Sequence, residues 1–261
     1  MKAIQFIFRY INYFFKAKNH HSVQSPFVFQ LVTKVINKKL KEKDCIEIEQ
    51  LRKELCKSEI DINITDFGAG SNINKSNKRK VKDVAKNSAK SSKFGQLLYR
   101  IIDFYNPKNI LELGTSLGVS SCYLAKSNGN SNVFTLEGCP ETAKIAKENF
   151  EKLGIKNINL IVGNFKDTFD ETLNKMDSLD LAFIDGNHQE KATIEYFNNC
   201  LEKSNNNTIF VFDDIHWSEG MENAWKHIQN HPKTSTTIDL FFVGIVFIKS
   251  ELTKEHFTIR F

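Results

Sequence analysis

The chain has 261 residues, 41% hydrophobic and 26% charged, with a formal net charge of +5. This composition suits a globular protein able to bury a core, and no run approaches the roughly eighteen apolar residues of a membrane span. Five cysteines, Cys45, Cys56, Cys122, Cys139 and Cys200, are odd in number and never spaced C-x-x-C. That excludes a disulfide framework and a cysteine-zinc site, and implies a cytoplasmic setting.

Charge divides along the chain. Residues 1–100 carry 21 Lys and Arg against 9 Asp and Glu, a balance of +12, and residues 101–261 carry 15 against 22, a balance of −7. A basic front raises the question of a nucleic-acid or membrane partner. At the start, Ile4, Ile7, Phe8, Ile11, Phe14 and Phe15 recur at three- and four-residue spacing, which draws an apolar stripe along a helix. Gln5, Arg9 and Asn12 interrupt the stretch, so it does not read as a signal peptide. Two roles fit: an interfacial membrane helix, or the commoner case of a helix packed on the main domain or across a homodimer. Pro26, after Ser25, predicts a new helix start, and a charged helical stretch follows from about Lys38 to Glu59.

Residues 72–93 hold Lys75, Lys78, Arg79, Lys80, Lys82, Lys86, Lys90 and Lys93, opposed only by Asp83, with Ile73, Val81 and Val84 as the bulky apolar residues. The run reads as a mobile connector or substrate-covering lid leading into a helix. It lacks the interleaved aromatics that stack on RNA bases. From Phe94 onward, short apolar runs at 110–113, 133–136, 158–162, 181–184 and 209–212 alternate with helical stretches at 141–153 and 189–201. That alternation predicts a doubly wound α/β, Rossmann-like sheet, mostly parallel. The runs 238–242 and 243–248 are too close for a parallel crossover, so a C-terminal antiparallel hairpin is expected. Residues 1–90 are expected as an N-terminal helical extension, and 91–261 as the Rossmann-like domain.

Two segments compete as the nucleotide loop. Asp66-Phe67-Gly68-Ala69-Gly70 runs into the lysine-rich stretch, and position 86, twenty residues past Asp66, is a lysine. Gly68 and Gly70 therefore read as turn glycines. Glu112-Leu113-Gly114-Thr115-Ser116-Leu117-Gly118 instead leads into a helical run, and Glu137 closes the next strand 23 residues after Gly114. Strand, glycine turn, helix, strand and acid together describe a loop that brings backbone close to a ligand and an acid that takes ribose hydroxyls.

The series of Lys93-Phe94-Gly95-Gln96, ILELGTSLGVSS, TLEG, IVGNFKD, FIDGNH and VFDDI resembles class I S-adenosylmethionine-dependent methyltransferases, within them the catechol and caffeoyl-type O-methyltransferase branch. The resemblance covers roughly 90–250. It implies S-adenosylmethionine as cofactor, held by Glu112, Gly114, Ser116, Gly118, Ser120, Glu137, Gly138, Gly163, Asn164, Phe165 and Asp185. It also implies Mg²⁺ or another divalent ion at Asp185, Asp213 and Asp214. The branch has Asp, Asp, Asn there, so Asp214 is a departure that adds one negative charge. The other reading of these acids is hydrogen bonding without a metal.

His188 stands where the catechol-type enzymes carry a lysine, and with His216 it is a candidate general base beside Asp185. The expected activity is methyl transfer to a hydroxyl oxygen of a small molecule. An RNA methyltransferase would use the basic front, yet the four prolines (Pro26, Pro107, Pro140, Pro232) include no Pro-Pro pair, and Pro-Cys is absent. A non-catalytic, membrane-peripheral cofactor-binding protein is the remaining alternative.

Overall fold

A computed structural model describes residues 2–19, 22–65, 77–87, 91–127 and 129–261. In chain order the elements are α1 (Lys2–Lys16), α2 (Pro26–Leu31), a π-helical turn (Val32–Ile36), α3 (Glu42–Leu55), β1 (Asp61–Asn63), β2 (Lys78–Lys80), α4 (Val81–Asn87) and α5 (Ser92–Tyr105). Then come β3 (Asn109–Leu113), α6 (Val119–Lys126), β4 (Asn132–Glu137), α7 (Pro140–Lys152), β5 (Ile158–Val162), α8 (Phe165–Asn174), β6 (Leu179–Ile184) and α9 (Glu190–Glu202). The chain closes with β7 (Ser204–Asp213), α10 (Glu219–Asn230), β8 (Thr236–Asp239), β9 (Val243–Phe247) and β10 (Glu255–Thr258). The glycine loop at 66–70, together with Ile73, Lys75 and Lys90 of the basic run, lies outside the described residues.

The strands form where apolar runs allow both faces to be covered, and the fold is α/β and Rossmann-like, mostly parallel with antiparallel C-terminal strands. By compactness the chain has two units, Lys38–Lys175 on one hand and Met1–Asn37 with Met176–Phe261 on the other. In the first, β3 pairs in parallel with β4 and β4 with β5. Ile110, Leu111, Leu113, Val133 and Leu136 are fully buried there. In the second, β6 pairs in parallel with β7, and β9 is antiparallel to both β7 and β8. Phe197, Phe210, Phe212 and Phe247 fill this unit's core. The expected hairpin is present, and β10 adds a parallel strand beside β8 that the polar stretch after Ile248 does not announce.

Two expectations for the N-terminal region change. The lysine-rich run is not simply a connector. Lys78–Lys80 pairs antiparallel with Asp61–Asn63, Lys80 and Lys82 meet Glu59, and Lys78 meets Asp61 at 3.1 Å. These exposed ion pairs add little energy. The anchor is α4, which buries Val81, Val84 and Ala85. Helical spacing of two valines outweighs the charge around them.

The first helix forms as expected and packs, but not through its apolar stripe. Tyr13, Ala17 and half-buried Phe6 contact Phe241. The Tyr13 hydroxyl donates to the Ile259 carbonyl at 2.6 Å, and Arg9 pairs with Glu222 at 2.9 Å. Just past the helix, Lys18 N–H donates to Thr258 O at 2.8 Å and Arg260 N–H to Lys18 O at 3.0 Å. These directional bonds set the rotation of the helix about its axis, and the stripe is turned outward. Among the described residues, no helix is long and apolar enough to cross a membrane.

Candidate functional site

In the Lys38–Lys175 unit the loop after β3 is built around backbone conformations that few side chains tolerate. Gly114 has φ 103°, Ser116 φ 49° and Gly118 φ 80°. Gly114 and Thr115 N–H both donate to Leu136 O, and Gly118 N–H closes the turn on Thr115 O at 2.8 Å. The turn is therefore stitched to the end of β4 and hands over directly to α6, whose N-cap is Gly118. A Cβ on Gly118 would stand 2.5 Å from the Phe150 ring. Gly118→Ala is expected to cost about 3 kcal/mol, from left-handed strain and overpacking together. Denaturant unfolding measures this, and a loss below about 1 kcal/mol would mean the loop relaxes freely.

Glu137, at the end of β4, is the electrostatic centre of this half. Its two carboxylate oxygens each accept one backbone N–H, from Ser116 at 2.7 Å and from Cys139 at 2.8 Å. Burial pushes its pKa up, while those N–H donors, the Thr142 hydroxyl and the Gly138 N–H pull it back down. Only the Ser116 and Cys139 N–H stand at hydrogen-bond distance, since the Thr142 hydroxyl donates to Cys139 O at 2.9 Å. An ionised carboxylate can accept about four hydrogen bonds, so each oxygen keeps a position for a ligand hydroxyl. The Ser116 strain is offset by its bond to this anion. Gly163 follows β5, and its N–H donates to the Glu137 carbonyl at 2.9 Å.

Other residues expected at the site in this half have protein contacts of their own. Glu112 is fully buried, and it accepts the Thr135 hydroxyl at 2.7 Å and that of Ser121. It thereby ties β3, β4 and α6 together. Ser120 is buried on α6. The Asn164 side chain caps α8, accepting from Lys166 N–H at 3.1 Å, and Phe165 begins that helix. Thr135, a lone hydroxyl within an apolar strand, was the sequence signal for a polar partner of Glu112.

In the other unit, three chemically active side chains come together. Asp185 and His188 follow β6 and Asp213 ends β7. One donor atom from each lies within 4.8 Å of the others. His188 Nε2 is 3.7 Å from Asp185 Oδ1. Asp213 is 1% exposed. The chain turns sharply here: Asn187 has φ 68°, His188 φ 40° and Asp214 φ 54°. Four of the six non-glycine residues recorded with positive φ, counting Ser116, thus lie in the loops expected to carry function, where backbone strain commonly collects.

The grouping differs from the expected triplet. His188 joins Asp185 and Asp213, while Asp214 stands outside that group. Its left-handed backbone directs its N–H to Phe242 O at 2.6 Å, and its carbonyl accepts from Trp217 N–H. Two carboxylates and an imidazole form a donor set that suits a borderline first-row divalent ion better than Mg²⁺, which prefers oxygen alone.

His216 is held differently. Its Nδ1 lies 3.0 Å from Glu222 Oε1 and its Nε2 2.9 Å from Asp239 Oδ2. The ring stacks on Phe241 at 5.2 Å. Burial opposes its charge, yet Asp239 and Glu222 outweigh burial and raise the pKa. Both ring nitrogens are thus bonded to carboxylates. Glu222 also takes Arg9, so this cluster fixes α1 against β8 and α10. Spacing gave no sign of it, because Glu222 and Asp239 are distant in sequence. Trp225 is buried beneath Gly244, whose Cβ would fall 2.6 Å from its ring, whereas Trp217 is exposed.

Residues 111–215 match a family model described as a methyltransferase domain. Over 131 residues the chain is 30% identical to catechol O-methyltransferase of Niastella koreensis, covering 49% of this chain and 57% of that protein. The catechol O-methyltransferase of Mycobacterium tuberculosis is 26% identical over 129 residues, with the same shares of 49% and 57%. The chain thus spans little more than half the length of these curated relatives. Among solved structures, an O-methyltransferase from Bacillus cereus in complex with SAH aligns at TM-score 0.56 and 21% identity, over 85% of this chain and 97% of that one. An SAH-bound Podospora anserina methyltransferase aligns at TM-score 0.60 and 15% identity, over 87% and 98%. Those two likenesses establish the fold, and residues 111–215 carry the match to a methyltransferase domain.

Proposed function

We propose that the protein transfers the methyl group of S-adenosylmethionine to a hydroxyl oxygen of a small molecule, with a divalent ion at Asp185, His188 and Asp213. The observation that carries this reading is the convergence of those three donors within 4.8 Å, each at or just beyond the carboxyl end of β6 or β7. Ligands of open α/β sheets bind at that end of the strands. We retain residues 91–261 as the methyltransferase domain and 1–90 as an added region.

The chain's own residues divide the work. Gly114, Ser116, Gly118, Ser120 and Glu137 would hold the cofactor, with Glu137 taking the ribose hydroxyls and Gly138, Gly163, Asn164 and Phe165 bordering the adenine. S-adenosylmethionine, when bound, supplies a methyl group already activated by its sulfonium. A divalent ion, when bound, lowers the pKa of the acceptor hydroxyl. Asp185 and Asp213 would fix the direction of approach, so that most of the acceleration is positioning and electrostatics.

His188 has two mutually exclusive roles. A nitrogen lone pair given to an ion cannot accept the hydroxyl proton, whereas without an ion a ring nitrogen of His188 can act as the base. Turnover of a catechol with labelled S-adenosylmethionine is expected to require Mn²⁺ or a similar ion and to stop on chelation. Undiminished turnover in chelator would assign His188 as base instead. Calorimetry supplies the prior check: wild-type protein is expected to bind S-adenosylmethionine at one site per chain, and absence of binding would end the methyltransferase proposal.

A further inference from the structure

The outward stripe of α1 is an unusual surface. Ile4, Ile7, Phe8, Ile11, Phe14 and Phe15 are 60%, 56%, 66%, 43%, 43% and 82% exposed. At about 100° per residue they share an arc roughly 120° wide. The packing residues Phe6, Tyr13 and Ala17 occupy a separate arc, so the helix does not need the stripe to stay in place. Contiguous apolar patches of this kind mark interaction surfaces. Trp217 and Phe242, 47% and 38% exposed, lie beside Phe6 on the packing arc, with ring centroids 5.9 and 6.1 Å away.

We propose that α1 docks this stripe into the headgroup layer of an anionic lipid bilayer. Charge complementarity selects that occupant. Residues 1–37 contain five Lys and Arg and no Asp or Glu, and of the five Arg9 is paired with Glu222. Lys16 and Lys18 are exposed at the C-terminal end of the helix. Exposed Arg260 lies 4.5 Å over the Phe14 ring, placing a guanidinium at the edge of the stripe. An apolar arc flanked by cations is the pattern of a helix lying in the plane of an interface. A second copy is a poorer partner. Two such segments face to face would bring like charges together, and neither has an acid to pair with them. Lipid phosphates and serine headgroups supply the missing negative charge.

The test uses the full chain, floated with phosphatidylcholine vesicles containing about a third phosphatidylserine, and separately with phosphatidylcholine alone. Binding is expected on the anionic vesicles, at least about tenfold weaker on the neutral ones, and weakened by salt. Phe8→Ser/Phe15→Ser is expected to lose about tenfold or more in partitioning. Both side chains are exposed, so Tm and S-adenosylmethionine binding stay unchanged and report that the fold survives. Lys16→Glu/Lys18→Glu is expected to lose a similar factor on anionic vesicles only. The proposal is overturned by no flotation on either vesicle, or by equal flotation on both. It is equally overturned by a dimer in sedimentation that Phe8→Ser/Phe15→Ser dissolves while neither vesicle captures the wild type. None of these outcomes depends on the methyltransferase reading, which calorimetry tests separately.

Discussion

Glu137→Ala is expected to weaken S-adenosylmethionine binding by at least about a hundredfold, because two charge-assisted hydrogen bonds are lost, each contributing about 1.5–3 kcal/mol. The carboxylate already accepts Ser116 and Cys139 N–H, one on each oxygen, which orients the remaining acceptor positions toward an incoming diol. The same substitution also releases Ser116 from the bond that holds its φ at 49°. Glu137→Gln should fare little better. Its amide must turn an N–H₂ against one of two backbone donors, so the isostere cannot reproduce the acceptor set. Calorimetry on both variants decides the matter. Affinity within about threefold of wild type would mean that Glu137 serves the loop alone.

Acid pH should act in the same direction as the substitution. Because burial raises the Glu137 pKa, the side chain protonates earlier than an exposed glutamate as pH falls, and cofactor affinity drops with it. The contribution to folding has the opposite sign. A carboxyl with a raised folded-state pKa favours the fold while protonated, and that stabilisation is lost as pH rises through the folded pKa.

Asp213→Asn is expected to reduce turnover by about a thousandfold, with S-adenosylmethionine affinity changed less than about threefold. Asp213 is buried, and one of its oxygens shares a space less than 4.8 Å across with Asp185 and His188. Without a cation, two carboxylates this close repel, and neutralising one relieves that repulsion. The metal-free variant should therefore melt at the same temperature as wild type or a few degrees higher. Adding Mn²⁺ should raise the Tm of wild type but not of the variant. A wild-type Tm indifferent to Mn²⁺ and to chelator would remove the ion from this site. Asp213→Asn turnover within about tenfold of wild type would remove Asp213 from the chemistry as well.

The strand, glycine turn and helix of the Lys38–Lys175 unit were legible because they are close in sequence. Strand, glycine turn and helix occupy 109–126, and the acid at the end of the next strand follows within a fixed rise of chain. The second glycine segment could be set aside on the same grounds, since a lysine-rich run followed it. The order of apolar strands was readable from burial on both faces, and so was the short link that forces an antiparallel hairpin. Less legible were β1 and β2, whose sequences DIN and KRK carry no apolar pattern. They pair because Ile62 is buried and α4 anchors the following residues.

Sequence alone determined the fold class, the glycine turn between β3 and α6 and the strand ends on which the acids stand, since local periodicity and turn chemistry encode each of these. Tertiary structure decided which acids share a space. A left-handed turn at His188 brings its ring to Asp185 and Asp213, and Asp214 falls outside their group. It also set His216 between two carboxylates, six and 23 residues away. Periodicity could show that α1 has an apolar stripe, but a helix has no preferred rotation of its own. Hydrogen bonds to residues 258–260, the Phe241 ring and the Arg9 pair with Glu222 set that rotation, and they left the apolar side facing outward.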